Sequence, residues 1–162
     1  MNPQACIQRC SLGRHPAHER VAQACACLVR INARNNLFAD NLLYANDRGV
    51  LVNSPVSGDS VPAAFQNNLY LTKGGASTAR WIWNDTTSTM RAAFQQASGS
   101  EAAGALADPP FIDVTTPDLH VASGSPAIGT GIDLGAWLEG IYDHVGSPRV
   151  VNGRVDRGAY QR

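Results

Sequence analysis

Residues 108–160 break every apolar run with turn-forming residues, and this feature constrains the fold of the chain most narrowly. Asp118 to Val121 alternates polar and apolar side chains, and Gly124-Ser125-Pro126 then turns the chain into a short apolar piece. Turn-forming residues recur further along the chain, at Gly146 and at Asn152-Gly153. Glycine and proline at this density are poorly tolerated inside helices. The stretch therefore predicts short strands joined by tight turns.

Four phrases in this stretch belong together: Asp108, Pro109 and Phe111; Ser125, Pro126, Ala127, Ile128 and Gly131; Asp143, Gly146 and Arg149; Asp156, Gly158, Ala159 and Tyr160. As a set they resemble the C-terminal end of secreted bacterial right-handed parallel β-helix proteins, the pectate-lyase-like or pectin lyase-like solenoids. Two positions depart from that pattern. Gln161 stands where the family has an acid, and Arg157 puts a charge where a core residue is expected.

The resemblance implies an all-β fold, a right-handed parallel β-helix present as a short solenoid fragment with one or two short flanking helices. We assign residues 1–31 to an N-terminal cap or disordered segment, and residues 32–162 to the parallel β-helix coils and the C-terminal closing segment. The length of 162 residues fits one domain. The resemblance also implies a parent protein that is extracellular or on the cell surface.

We expect no signal peptide in the N-terminal residues, because they lack an apolar centre. No apolar run approaches the roughly 20 residues of a membrane span. We therefore expect no membrane span, and we expect the chain to be a piece of a longer exported protein.

Residues 1–31 hold all four cysteines: Cys6, Cys10, Cys25 and Cys27. Their spacing does not match the paired knuckles of a zinc site, so we expect no metal and no cofactor. A disulfide would need an oxidising compartment, and the redox state stays open. Val21, Cys25 and Leu28 fit one face of a capping helix, while residues 25–31 also fit a first strand.

The charges are distributed unevenly. Residues 1–34 carry five arginines against Glu19 alone, and the remainder has eight basic and twelve acidic residues, a net charge of minus four. Phosphate binding needs a basic stripe. We therefore expect no nucleic acid partner for the body of the protein.

Residues 32–72 fit the coils of a solenoid. Eight of the eleven asparagines lie between Asn32 and Asn68, and asparagine favours turns. The phrase Asn35 to Phe38 recurs as Asn67 to Tyr70, 32 residues later. Short strands between asparagine-rich turns are typical of a parallel β-helix. An antiparallel β-sandwich is the structural alternative.

Residues 80–99 change from a strand pattern to a helix pattern. Trp81 and Trp83 share one face of a strand, and the apolar residues from Met90 to Ala97 recur at helical spacing before Gly99. The two indoles are the strongest indication of substrate binding, since aromatic faces stack on sugar rings. The alternative is that both indoles pack under the helix that follows.

Candidate catalytic groups are sparse, and we assign none. Lys73, the one lysine, lies in a glycine turn. The turn contexts of Asp40, Asp47 and Asp59 account for these carboxylates without catalysis. The charged residues near the C-terminus could form an acid–base set: Asp143, His144, Arg149, Asp156 and Arg157. An internal ion pair and turn hydrogen bonds account better for Asp143, Arg149 and Asp156, and a lone His144 fits a surface residue better than a general base. Residues 132–142, with Leu134, Trp137, Leu138 and Ile141 at helical spacing, predict a short helix that covers the last coil.

Together these features favour a non-catalytic chain that contributes to carbohydrate binding or to cell-surface interaction, with a polysaccharide as the partner. The alternative is part of a polysaccharide lyase or glycoside hydrolase. We also expect self-association through an exposed solenoid end unless residues 1–31 cover it.

Overall fold

A computed structural model describes residues 37–45, 50–54, 64–72, 74–107 and 120–162. Several predictions from the sequence fall outside these residues. They are the cap at residues 1–31 with its four cysteines, Lys73, Asp47, Asp59 and the phrase that begins at Asp108.

The described residues form eight short strands and two helices. The strands are β1 (Leu37–Ala39), β2 (Leu42–Ala45), β3 (Val50–Ser54), β4 (Ala64–Gln66), β5 (Leu69–Thr72), β6 (Arg80–Trp83), β7 (Thr86–Ser88) and β8 (Ala105–Leu106). The helices are α1 (Arg91–Ser98) and the single turn α2 (Ala136–Glu139), and Ala76–Thr78 adds a 3-10 turn. No helix among the described residues is long and apolar enough to cross a bilayer.

The strands pair into three small sheets. β1 pairs with β4, β2 with β5 and then β8, and β3 with β6 and then β7. All of these pairs are parallel except β6 with β7, which is antiparallel. The third sheet is therefore mixed.

The predicted right-handed parallel β-helix is wrong. Across the described residues the sheets have only two or three strands, one sheet is mixed, and no sheet closes or continues as a solenoid. The physical reason lies at Asn84 and Asp85, whose φ angles are 47° and 60°. Positive φ at both central residues is the requirement of a tight type I′ hairpin turn. This turn sends β7 back along β6.

The correction of the fold class bears on two further expectations. Self-association was argued from an exposed solenoid end, so it no longer follows from the fold, and it stays untested. The β-sandwich alternative is also wrong for the described residues, because sandwiches are built from antiparallel strands and most pairs here are parallel.

The chain repeats with a spacing different from the one that the sequence suggested. Leu42 lies opposite Leu69, and Leu43 lies opposite Tyr70. The phrases that match in the structure are therefore Asp40 to Leu43 and Asn67 to Tyr70. They lie 27 residues apart in the sequence, and side-chain hydrogen bonds join them. The more conspicuous 32-residue repeat does not set the register.

An aromatic cluster fills the larger core. Phe94 of α1 is fully buried and meets Trp81, Trp83 and Phe65 at ring-centroid distances of 6.3, 5.8 and 5.4 Å. Burying a side chain of this size stabilises a fold by about 1.5–3 kcal/mol. The predicted amphipathic helix and its stop at Gly99 are confirmed, and Gly99 takes the left-handed conformation that ends a helix.

Candidate functional site

Both tryptophans that the sequence singled out for sugar binding lie in the core. Trp81 has 0% and Trp83 has 6% of its surface exposed, because alternate residues of β6 face the same side and α1 covers that side. An indole with so little exposed surface offers no face to a sugar ring. Both indoles instead pack under α1, the helix that follows them in the sequence.

Asp40 is a buried carboxylate in left-handed backbone, with a φ of 54°. Its Oδ1 accepts a hydrogen bond of 2.6 Å from Asn67 Nδ2, and its Oδ2 accepts one of 2.8 Å from the Ile132 amide. Loss of hydration on burial raises the pKa of Asp40, although these hydrogen bonds and Arg157 oppose the rise. The carboxylate joins distant parts of the chain.

Arg157 is the charged residue at a position where the resemblance called for an apolar one, and only 8% of it is exposed. Its guanidinium donates hydrogen bonds to Asn67 Oδ1 and to the Thr130 carbonyl. Burial lowers its pKa, and attraction to Asp40 and Glu101 opposes that change. A buried cation is tolerated here because two buried anions and two acceptors surround it.

Glu101 forms a second buried carboxylate site. Its carboxylate accepts hydrogen bonds from the Asn68 amide at 2.8 Å, from Asn68 Nδ2 at 2.7 Å and from Tyr70 Oη at 2.9 Å. Burial raises the pKa of Glu101 despite these bonds. Its backbone is left-handed, with a φ of 67°, which is costly for a residue of this type. The contacts that offset this cost are structural, and the side chain is closed to solvent.

Asp143 makes the turn hydrogen bonds that we expected near the C-terminus. Asp143 Oδ1 accepts hydrogen bonds from the amides of Val145 and Ser147 at 2.9 and 2.8 Å, and Oδ2 accepts one from the Gln161 amide at 2.9 Å. Burial raises the pKa of Asp143, but the backbone donors outweigh it and hold the pKa below its usual value. Asp143 therefore fixes a turn.

Arg149 and Asp156 are buried beside each other in the fold but bind main-chain groups. Arg149 donates to the carbonyl oxygens of Asp156 and Gly158, at 3.2 and 2.6 Å. The Asp156 carboxylate accepts from the amides of Gly129 and Arg162. The turn hydrogen bonds of the prediction are present, and these groups are committed to holding loops together.

An exposed apolar surface lies in the part of the chain that we expected to cover the core. Its residues are Trp137, Ile141, Tyr142, Val145 and Val150. Trp137 is 76% and Tyr142 is 61% exposed. Among the described residues, Met90 is the other large apolar side chain with this degree of exposure. The predicted short helix exists as α2, but its Trp137 faces solvent. Concentrated exposed apolar side chains are typical of binding sites.

Four of the five residues of the surface lie in a loop with a defined backbone, residues 141–150, which we call the surface loop. Tyr142 and Pro148 form an antiparallel bridge, and the Arg149 amide donates to the Ile141 carbonyl at 2.9 Å. Asp143 fixes the turn between them. The apolar side chains are thus held in place without being buried.

The sequence pattern missed this surface because helical spacing of apolar residues does not say whether the apolar face is covered. The available signal was local: Gly135 and Gly140 bracket the segment, and both have left-handed φ angles, of 80° and 81°. Only one turn of helix fits between them.

No three histidine, cysteine, aspartate or glutamate side chains come together as metal ligands within the described ranges. Comparisons of the chain with models of protein families, with curated proteins and with solved structures give no match.

Proposed function

We propose that this protein is a non-catalytic binding protein that holds a neutral polysaccharide against its exposed apolar surface, in an extracellular or cell-surface setting. The observation that carries the proposal is the exposure of Trp137 in α2 and of Tyr142 in the surface loop, whose turn is fixed by hydrogen bonds to Asp143. Ordering such a segment has an entropic cost. A ligand that covers the two rings would offset this cost by burying their apolar surface.

The two exposed rings favour a sugar chain as the ligand. At the observed exposures the two rings alone present roughly 300 Å², while a stable protein interface buries about 800 Å² on each partner. Tyrosine and tryptophan rings combine a flat apolar face with a polar edge, which matches a sugar ring with its C–H face and peripheral hydroxyl groups.

The charge of the protein favours a neutral ligand. The body carries a net charge of minus four, which repels a polyuronate. Asp133, at the start of the α2 segment, is exposed. Catalysis is left out of the proposal because Asp40, Glu101 and Asp156 are buried and their carboxylates accept structural hydrogen bonds.

The test is sedimentation of the purified protein with cellulose, xylan, chitin and polygalacturonate, combined with acrylamide quenching of tryptophan fluorescence. Trp81 and Trp83 are buried, so Trp137 dominates quenching. We expect a neutral polysaccharide to retain the protein and to protect Trp137 from quenching. Trp137→Ala and Tyr142→Ala should each weaken binding by tenfold or more, since aromatic anchors contribute on the order of 2 kcal/mol.

Met90→Ala is the matched control, because Met90 is 65% exposed and lies outside the surface. It should leave binding unchanged. Retention on all four polymers with unchanged quenching would contradict the proposal, as would full retention of Trp137→Ala. Release of reducing ends, or of unsaturated uronate absorbance, would favour the polysaccharide-degrading alternative.

A further inference from the structure

The surface loop is bound to the last residues of the chain, residues 156–162, which we call the tail. Asp143 Oδ2 accepts a hydrogen bond from the Gln161 amide at 2.9 Å, and the His144 amide donates to the Ala159 carbonyl at 2.9 Å. Arg149, from the other arm of the loop, donates to the Gly158 carbonyl at 2.6 Å. Both arms of the loop therefore contact the tail.

The same tail is bound to the core. The Gly158 amide donates to the Asp40 carbonyl at 2.6 Å, and Arg157 reaches Asn67 and Thr130. A Cβ at Gly158 would lie 3.0 Å from Leu42 Cδ1, so the tail lies directly on β2. The Tyr160 ring lies 3.9 Å from that of His120 and 5.4 Å from that of His144. The tail is thus a bridge between the core and the surface loop.

We infer that the tail positions the surface loop for its ligand, and that Asp143 is the positioning residue that joins the two. This inference rests on the proposed function. The two carboxylate oxygens of Asp143 have separate tasks. Oδ1 holds the turn through Val145 and Ser147, and Oδ2 holds the tail through Gln161. A rigid loop binds more tightly than a loose one because less entropy is lost on binding.

Asp143→Asn separates the two tasks. Asparagine retains one oxygen, which satisfies the two turn amides, and it places an amide group against the Gln161 N–H in place of an acceptor. We expect hydrogen exchange of the Gln161 amide to rise about tenfold, the effect of losing one charge-assisted hydrogen bond. The amides of Val145 and Ser147 should stay protected. Binding to the polysaccharide retained in the sedimentation assay should weaken by about fivefold to tenfold.

Asp143→Ala removes both tasks and should also expose the amides of Val145 and Ser147. Asp85→Asn is the matched control, since Asp85 is an exposed carboxylate in the β6–β7 turn, and it should change neither exchange nor binding. The pH profile is a second readout: at pH values at which the protein stays folded, affinity of the original protein should fall as Asp143 becomes protonated, and that step should be missing in Asp143→Asn.

The outcomes separate this inference from the proposed function. Unchanged Gln161 exchange in Asp143→Asn, or unchanged affinity despite faster exchange, would overturn the positioning role while binding stands. If none of the four polymers is retained, the proposed function fails. The exchange comparison then still decides whether the Asp143 to Gln161 bond orders the tail and the loop together.

Discussion

Asn67 donates a hydrogen bond of 2.6 Å to Asp40 across 27 residues of sequence, and both residues have left-handed backbone, with φ angles of 55° and 54°. Asn67 also donates to the Thr130 carbonyl at 2.8 Å and accepts a hydrogen bond from Arg157. One amide side chain therefore connects segments from four parts of the chain.

Replacing Asn67 should destabilise the fold strongly. Asn67→Ala leaves buried polar groups of Asp40 and Arg157 without a partner and keeps a Cβ in left-handed backbone, so we expect a loss of about 3–5 kcal/mol. Asn67→Gly removes the same hydrogen bonds but relieves the backbone, and it should be less damaging by about 1 kcal/mol. Urea unfolding measures both. Equal losses would show that the backbone conformation carries no cost.

Stability should rise as the pH falls from the raised pKa values of Asp40 and Glu101 toward their ordinary values. Burial raises the pKa of Asp40 above 3.8 and that of Glu101 above 4.5. Between these ordinary values and the raised ones, the folded protein binds protons that the unfolded chain releases, so the free energy of unfolding increases with acidification. Urea unfolding at a series of pH values from about 8 to about 5 measures the slope.

Asp143 acts in the opposite sense at lower pH. Its pKa is depressed below 3.8 in the folded protein, so its stabilising contribution is present above that value and is lost as the pH falls through the depressed one. Glu101→Gln should flatten the rise that acidification produces above the ordinary pKa of Glu101, because one of the two protons no longer contributes. A slope equal to that of the original protein would contradict the assignment to Glu101.

Gly104→Ala should destabilise the protein through a clash with Glu101. A Cβ at residue 104 would overlap the Glu101 carboxylate, and overpacking of this kind costs about 1–3 kcal/mol. Gly75→Ser serves as a comparison without a steric clash, since nothing lies within 4 Å of a Cβ there, although its φ of 74° adds backbone strain. In a double-mutant cycle, Glu101→Ala should remove most of the additional cost of Gly104→Ala.

The three tryptophans should differ sharply in their contribution to stability. Trp81→Ala opens a cavity beside Tyr70 and Phe94 and should cost about 3–5 kcal/mol. Trp137→Ala removes an exposed ring and should change stability by less than about 0.5 kcal/mol. Thermal unfolding distinguishes the two. A large loss on removing Trp137 would mean that its ring packs in the folded protein.

Local patterns in the sequence predicted the elements that depend on neighbouring residues. The alternation at Trp81 and Trp83 and the helical spacing around Phe94 both correspond to structure. These patterns reflect side-chain directions fixed by one strand or one helix. The burial of both indoles, which removes them as a sugar-binding site, depended on how those two elements pack together.

The register and the overall fold depended on information that local patterns do not carry. The 32-residue repeat of the Asn-Asn phrase obscured the match between Asp40-Asn41 and Asn67-Asn68, where the side chains bond directly. The Asn84-Asp85 hairpin turn was overlooked as well, although asparagine and aspartate are among the residues that tolerate positive φ. No local pattern in the sequence predicts the burial of Glu101, because that burial depends on Asn68 and Tyr70.

The placement of Arg157 has a consequence for how the protein matures. During translation Asp40 leaves the ribosome well before the guanidinium that attracts it, and vectorial synthesis delivers chains from the N-terminus onward. A nascent chain that has not yet been extended to Arg157 therefore holds Asp40 without this neighbouring positive charge. The hydrogen bonds of Arg157 to Asn67 and Thr130 can form only after that residue has been synthesised.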